Sequence, residues 1–207
     1  MSGRRLVVFD LETGGLDRQR HPITQFAGVA LDLDMDGWPA VEECEVKIRF
    51  DPAAADPEAL ELGSYDAAVW ARDAMPERLA ADVISGFFRR HATLEKISAR
   101  TKRGYNVAEL CAYNGARFDG EFLASWFKRL EMFCPGACYE ILDPFQLARW
   151  VVRFSPDPPP RDLRLASVAE WLGVESDPMA AHDALVDVRT TVEVARRLHA
   201  RIAGGSP

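Results

Sequence analysis

The chain is poor in cysteine, short of positive charge and without a long apolar run, and each shortage removes a class of protein. Four cysteines, Cys44, Cys111, Cys134 and Cys138, are too few for a disulfide-built scaffold in 207 residues. Cys134 and Cys138 flank Pro135-Gly136-Ala137 with no His or other Cys nearby, which argues against a zinc site. No stretch reaches the length of a membrane span. The apolar run Leu6 to Phe9 is too short for a signal-peptide core and leads directly into acidic residues, so a soluble, cytoplasmic protein is expected. Lys and Arg number 25 against 32 Asp and Glu, a net charge of −7, and such a sum argues against a nucleic-acid partner.

Distribution qualifies that argument. Arg89, Arg90, His91, Lys96, Arg100, Lys102 and Arg103 are opposed only by Glu95, and Arg149, Arg153, Arg161 and Arg164 form a second basic stretch. Either stretch could steer a phosphate backbone, and either equally suits a solvated surface. With 48% hydrophobic residues the chain can bury one good core, so a single domain over residues 1–207 is expected, its core spanning about 4–203.

The order of elements predicts an α/β fold. Leu6 to Leu11, Ile23 to Leu33 and Val41 to Phe50 read as consecutive strands, the last two joined through the turn signal Asp36-Gly37. A helical region is predicted from about Pro57 to Ile97, with breaks near Gly63 and Pro76. Short strands are predicted at Leu110 to Tyr113 and near Tyr139 to Leu142, and helices at Asp119 to about Glu131, Asp143 to Val152, Leu165 to Leu172 and Asp183 to Ile202. No internal repeat is present. Three strands followed by alternating helices and strands fit a mixed five-stranded sheet with helices on its faces.

Three separated clusters carry chemistry. Asp10 and Glu12 end the apolar strand Leu6-Val7-Val8-Phe9, just before Gly14-Gly15. Residues two apart on a strand share a face, which puts the two carboxylates about 7 Å apart. Two ionised carboxylates on one apolar strand repel and lose hydration unless a cation offsets them, and hard oxygen ligands favour magnesium or manganese over zinc. The alternative is a strand that simply emerges into solvent at that point.

The second cluster is Asp119, at the start of a segment in which Phe118, Phe122, Leu123, Trp126 and Phe127 recur at helical spacing. An ordinary helix-capping aspartate suits the same position. The third is His182 and Asp187, ahead of an amphipathic segment through Val192, Val194, Leu198 and Ile202. On one continuous helix these two would lie about 140° apart around the axis, so His182 is expected on a loop before the helix and Asp187 in its second turn. The alternative there is Asp183 as a helix cap and His182 as a surface histidine.

Together, Phe-Asp-Leu-Glu-Thr-Gly at 9–14, Tyr-Asn-x-x-Arg-Phe-Asp at 113–119 and Ala-His-Asp-Ala-x-x-Asp at 181–187 resemble the DEDDh group of DnaQ-like 3′-to-5′ exonucleases, most closely its exonuclease I branch. The likeness covers most of the chain and implies a ribonuclease H-like fold. It also implies two divalent ions, magnesium or manganese, held by Asp10, Glu12, Asp119 and Asp187, with His182 as general base. Asp183 stands where the tyrosine variant of the family carries Tyr, so the histidine variant fits. Thr13, Gly14, Leu16 and Asn114 are implied as substrate contacts, with Leu16 either a wedge against the terminal base or a core leucine.

On this likeness the first expectation is removal of nucleoside 5′-monophosphates from 3′ ends of single-stranded DNA. An exoribonuclease trimming short RNA and a proofreading exonuclease with a polymerase or repair partner are the alternatives. The proofreading reading is weakened by the short tail after the last helix, and a non-enzymatic binding module by the presence of all five site residues.

Overall fold

The computed structural model describes residues 3–63, 65–175 and 183–204. The main sheet has four strands, β1 (Arg5–Thr13), β2 (Ile23–Asp32), β3 (Ala40–Lys47) and β6 (Glu109–Cys111), in the order β3-β2-β1-β6. The β1–β2 and β2–β3 pairs are antiparallel and β1–β6 is parallel, so the sheet is mixed. β1 and β2 are nearly continuous apolar runs because both of their faces are covered.

One face packs on α3 (Glu77–Arg90) and α4 (Asp119–Arg129). Val7, Phe9, Leu11 and Phe26 meet Ile84, Phe87, Phe88, Phe122 and Trp126 there in a core without charge. The other face packs on α7 (Ala184–Ile202), where Leu6, Val8, Val29 and Leu31 meet Ala184, Val188 and Val192. The far side of α7 is covered by α5 (Pro144–Phe154) and α6 (Leu165–Trp171) through Ala148, Val168, Val194 and Leu198. α7 is thus clamped between sheet and helices.

The edge strand β3 is acidic, and alternate residues reach opposite layers. Glu42 accepts from Arg90 at 2.6 Å and meets His91 Nε2 at 2.8 Å on the α3 side, while Glu43 pairs with Arg189 of α7. Charge along an exposed edge discourages pairing with another chain. Two small helices, α1 (Pro57–Leu62) and α2 (Ala67–Asp73), precede α3 with breaks at the expected places.

Two expectations change. The predicted helical region ends at Arg90, and Leu94–Ile97 is instead strand β4, paired antiparallel with β5 (Gly104–Val107). This ribbon is mostly solvated, so its residues lack the apolar alternation that would announce it. The fifth position of the main sheet holds only isolated parallel bridges, Ala108 to Gly136 and Cys111 to Leu142. The ladder stops because Asp143 caps α5 and Pro144 opens it, turning the chain out of the sheet directly after Leu142. The helices predicted from Asp119, Asp143, Leu165 and Asp183 are all present within a few residues.

Candidate active site

The acidic site grows out of the alternation in β1. Leu6, Val8, Asp10 and Glu12 share the face that α7 covers, and the first two pack on Ala184 and Val188. α7 begins at Ala184 because Asp183 caps it, its carboxylate accepting from Leu185 N–H at 3.0 Å and Val186 N–H at 3.3 Å. Asp187 follows in the first turn, beyond the apolar contact and level with the acidic end of β1. Oxygens of Asp10, Glu12 and Asp187 consequently lie within 4.8 Å of one another.

Asp119 is brought close but not into that triad. It is buried at 6% exposure at the start of α4 and accepts hydrogen bonds from its own backbone N–H and from Leu11 N–H. Its charge bears on both Asp10 and Glu12. Gly115 lets it approach, since a Cβ there would meet Ala112 and lie 2.9 Å from Asp119 Oδ2.

Crowded, partly desolvated carboxylates hold their protons. Burial, then Asp119, Glu12 and Asp187, raises Asp10 well above the usual carboxylate range. Burial, then Asp187, Asp119 and Asp183, pushes Glu12 up to about 8. Burial also raises Asp119 to about 7 against the pull of its two backbone donors. The site therefore demands either protons or cations. An all-oxygen donor set of this spacing suits hard divalent ions, and no His or Cys joins the triad among the described residues.

The triad opens into a cleft of about 670 Å³ lined by Asp10, Asp187, Tyr113, Asn114, Arg161 and Arg164. Tyr113 donates its hydroxyl to Leu163 O at 2.7 Å, and Asn114, with φ 56°, donates its N–H to Asp143 Oδ1 at 2.8 Å. On the other side of Glu12 a second groove runs past Thr13, Gly15, Leu16, Leu62 and Phe118. Gly14 is buried, its N–H donating to Pro22 O and its carbonyl accepting from Asp56 N–H, so it shapes this loop rather than lining the groove. Gly15 has φ 146°, and a Cβ there would collide with the His21 ring, so the turn requires glycine. Leu16 is 84% exposed, which rules out the core-leucine reading. His182 lies outside the described residues.

The two basic stretches diverge. Arg90 and His91 are engaged by Glu42, Lys96 pairs with Glu140, and Arg100 to Arg103 occupy the turn of the β4–β5 ribbon. None of these lines the acidic cleft, whereas Arg161 and Arg164 do. Phe118, within the second motif, borders the site, as do Leu62 and Phe145, which no local motif announced because they reach it from separate elements.

No family model matches the chain. It is 26% identical over 196 residues to ribonuclease T of Actinobacillus pleuropneumoniae serotype 5b (strain L20), covering 91% of this chain and 80% of that protein. It is 28% identical over 198 residues to ribonuclease T of Yersinia enterocolitica, covering 91% and 81%. Among solved structures it resembles E. coli exonuclease I in complex with a dT13 oligonucleotide, with a TM-score of 0.74 and 20% identity, covering 97% of this chain and 42% of that one. A product-bound exonuclease I matches with a TM-score of 0.73 and 19% identity, covering 98% and 45%. The chain thus spans less than half the length of the exonuclease I structures and about four fifths of the ribonucleases T. The solved structures confirm the ribonuclease H-like fold. Relatives aligned over nearly the whole chain, the three motifs in order and the carboxylates gathered at one site together support a 3′-to-5′ exonuclease similar to the DEDDh group of DnaQ-like enzymes.

Proposed function

We propose that the protein removes nucleoside 5′-monophosphates from the 3′ ends of single-stranded DNA, with Asp10, Glu12, Asp119 and Asp187 as ligands for two ions, magnesium or manganese, and His182 as general base. The observation that carries this reading is the convergence of Asp10, Glu12 and Asp187 within 4.8 Å at the mouth of a cleft edged by arginine. When bound, divalent ions offset the charge of the phosphodiester and promote ionisation of the attacking water. The protein's own groups do the rest. Asp10 feels the charge of Asp119 as well as of Glu12 and Asp187, which suits it to shared ligation. His182 takes the proton of the attacking water, a task matched to an imidazole titrating near neutrality.

Holding the strand falls to the two grooves. The exposed Leu16, beside Thr13 and Gly15, offers an apolar surface to the terminal base, and Asn114 with Arg161 and Arg164 faces the sugar-phosphate on the other side. A second reading, trimming of RNA 3′ ends, is supported by the relatives named ribonuclease T, which match over four fifths of their length.

The test offers matched single-stranded DNA, double-stranded DNA and RNA, each labelled at the 5′ end, with magnesium or manganese. Ladders shortening from the 3′ end and fastest on single-stranded DNA are expected; faster RNA shortening selects the second reading, and no nucleotide release from any of the three sinks both. His182→Ala should lower turnover by about 10² to 10⁴ and remove the alkaline rise of the rate with pH. An unchanged profile moves the base role to another group.

A further inference from the structure

Helix α5 starts at the rim of the acidic cleft. The Asp143 carboxylate that caps it accepts from Phe145 N–H at 3.0 Å and also from Asn114 N–H, so the first turn is tied to a cleft residue. At 1.5 Å per residue, Trp150 lies about 10 Å and Phe154 about 16 Å further along the axis. Ala148 and Pro144 face inward and are buried. The outward face carries Trp150 and Phe154, 68% and 71% exposed, stacked with ring centroids 5.4 Å apart and an interplanar angle of 27°.

Arginine frames this aromatic pair. Arg149 and Arg153 each precede one of the rings, and with Gln146 and Leu163 they line a shallow groove of about 510 Å³. Neither forms an ion pair with a described carboxylate, unlike Arg90 and Arg189, which are tied to Glu42 and Glu43. Leu163 borders both this groove and the acidic cleft, so the two adjoin at that residue. Exposed aromatic faces beside cations, in a protein of net charge −7, match the two surfaces of a single strand, its bases and its phosphates.

We propose that this face of α5 is a strand-holding subsite for single-stranded nucleic acid, with bases stacked on Trp150 and Phe154 and phosphates paired with Arg149 and Arg153. The held segment lies on the 5′ side of the linkage being cleaved, because the 3′ end must enter the acidic cleft. The proposal rests on the exonuclease reading above and adds to it a dependence on strand length that the acidic site alone does not provide.

The test compares a dinucleotide with a dodecanucleotide, for the parent, Trp150→Ala/Phe154→Ala and Arg149→Ala/Arg153→Ala. KM in the parent should fall with length. In the aromatic variant, KM for the dodecanucleotide should rise about ten-fold per lost stacking contact, with dinucleotide kinetics held at the parent's. In the arginine variant, the slope of log affinity against log salt should drop by about 0.7 for each arginine. Equilibrium titration of the dodecanucleotide in excess chelator should quench emission lost in Trp150→Phe, a readout independent of catalysis. Retained length dependence in the aromatic variant, an unchanged salt slope, or quenching driven by protein concentration rather than by oligonucleotide overturns the proposal, the last in favour of a second copy of the chain. Absence of hydrolysis of both oligonucleotides by the parent counts instead against the exonuclease reading, since the titration still reports on α5.

Discussion

The two faces of β1 are built from alternate residues of one nine-residue strand, yet they do opposite things. Val7, Phe9 and Leu11 enter a wholly apolar core beneath α3 and α4. On the reverse, Leu6 and Val8 are apolar, but Asp10 and Glu12 continue the row into a cluster with Asp187 whose carboxylates are driven towards protonation. The first face contributes hydrophobic stability; the second, without a cation, opposes folding. A strand can tolerate such a cluster because the destabilised groups are covalently tied to neighbours packed on the other side.

Neutralising the acidic face should have the largest effect on activity and the smallest harm to the fold. Asp10→Asn and Asp187→Asn are each expected to lower exonuclease turnover by about 10³ or more, as charge stabilisation of several kcal/mol is lost. Their metal-free melting temperatures should equal or exceed the parent's. Magnesium or manganese should raise the parent's melting temperature, by about 2.7 kcal/mol of stabilisation at a hundred-fold excess over Kd, and that of Asp10→Asn much less. Full activity in either variant would break the comparison at its functional end.

Truncation on the opposite face should reverse the pattern. Phe26 is fully buried and meets Phe9, Phe87 and Phe88, so Phe26→Ala should cost about 3–5 kcal/mol in denaturant unfolding while the folded fraction keeps its turnover. A cost below about 1 kcal/mol would mean that this face is not where the stability resides.

The most gradual expected effect sharpens the comparison through pH. Glu12 is raised in the folded state from 4.5 to about 8, so the native protein binds more protons than the unfolded chain in between. Its contribution is fully present below the unfolded value and is lost as pH rises through about 8. Metal-free Glu12→Gln should therefore match the parent in acid and become progressively more stable than it as the solution is made alkaline. Thermal melts of both proteins in chelator check this, and a stability difference independent of pH would remove Glu12 from the strained cluster.

Much of this was legible in sequence because it is local. The period of two in β1 dictates that Asp10 and Glu12 share a face, and Asp183, Pro144 and the glycines after Thr13 mark ends and turns through the geometry of their own backbones. Asp183 does cap the helix, and this does not compete with the site, since Asp187, one turn later, is the residue that joins Asp10 and Glu12. The exposed ribbon from Leu94 to Val107 escaped because pairing of solvated strands leaves no apolar period.

What only the tertiary structure decided is how distant segments meet. The packing of α7 on Leu6 and Val8 brings Asp187 level with Asp10 and Glu12, while α4, anchored on the reverse face, holds Asp119 at the margin against Leu11 N–H. The same packing brings Arg161 and Arg164 to the cleft and leaves Arg100 to Arg103 on a turn that does not line it, though the two stretches look alike along the chain. Backbone periodicity sets which way a side chain points within its own element; which elements face each other depends on apolar surfaces separated by a hundred residues or more, and no local pattern encodes that pairing.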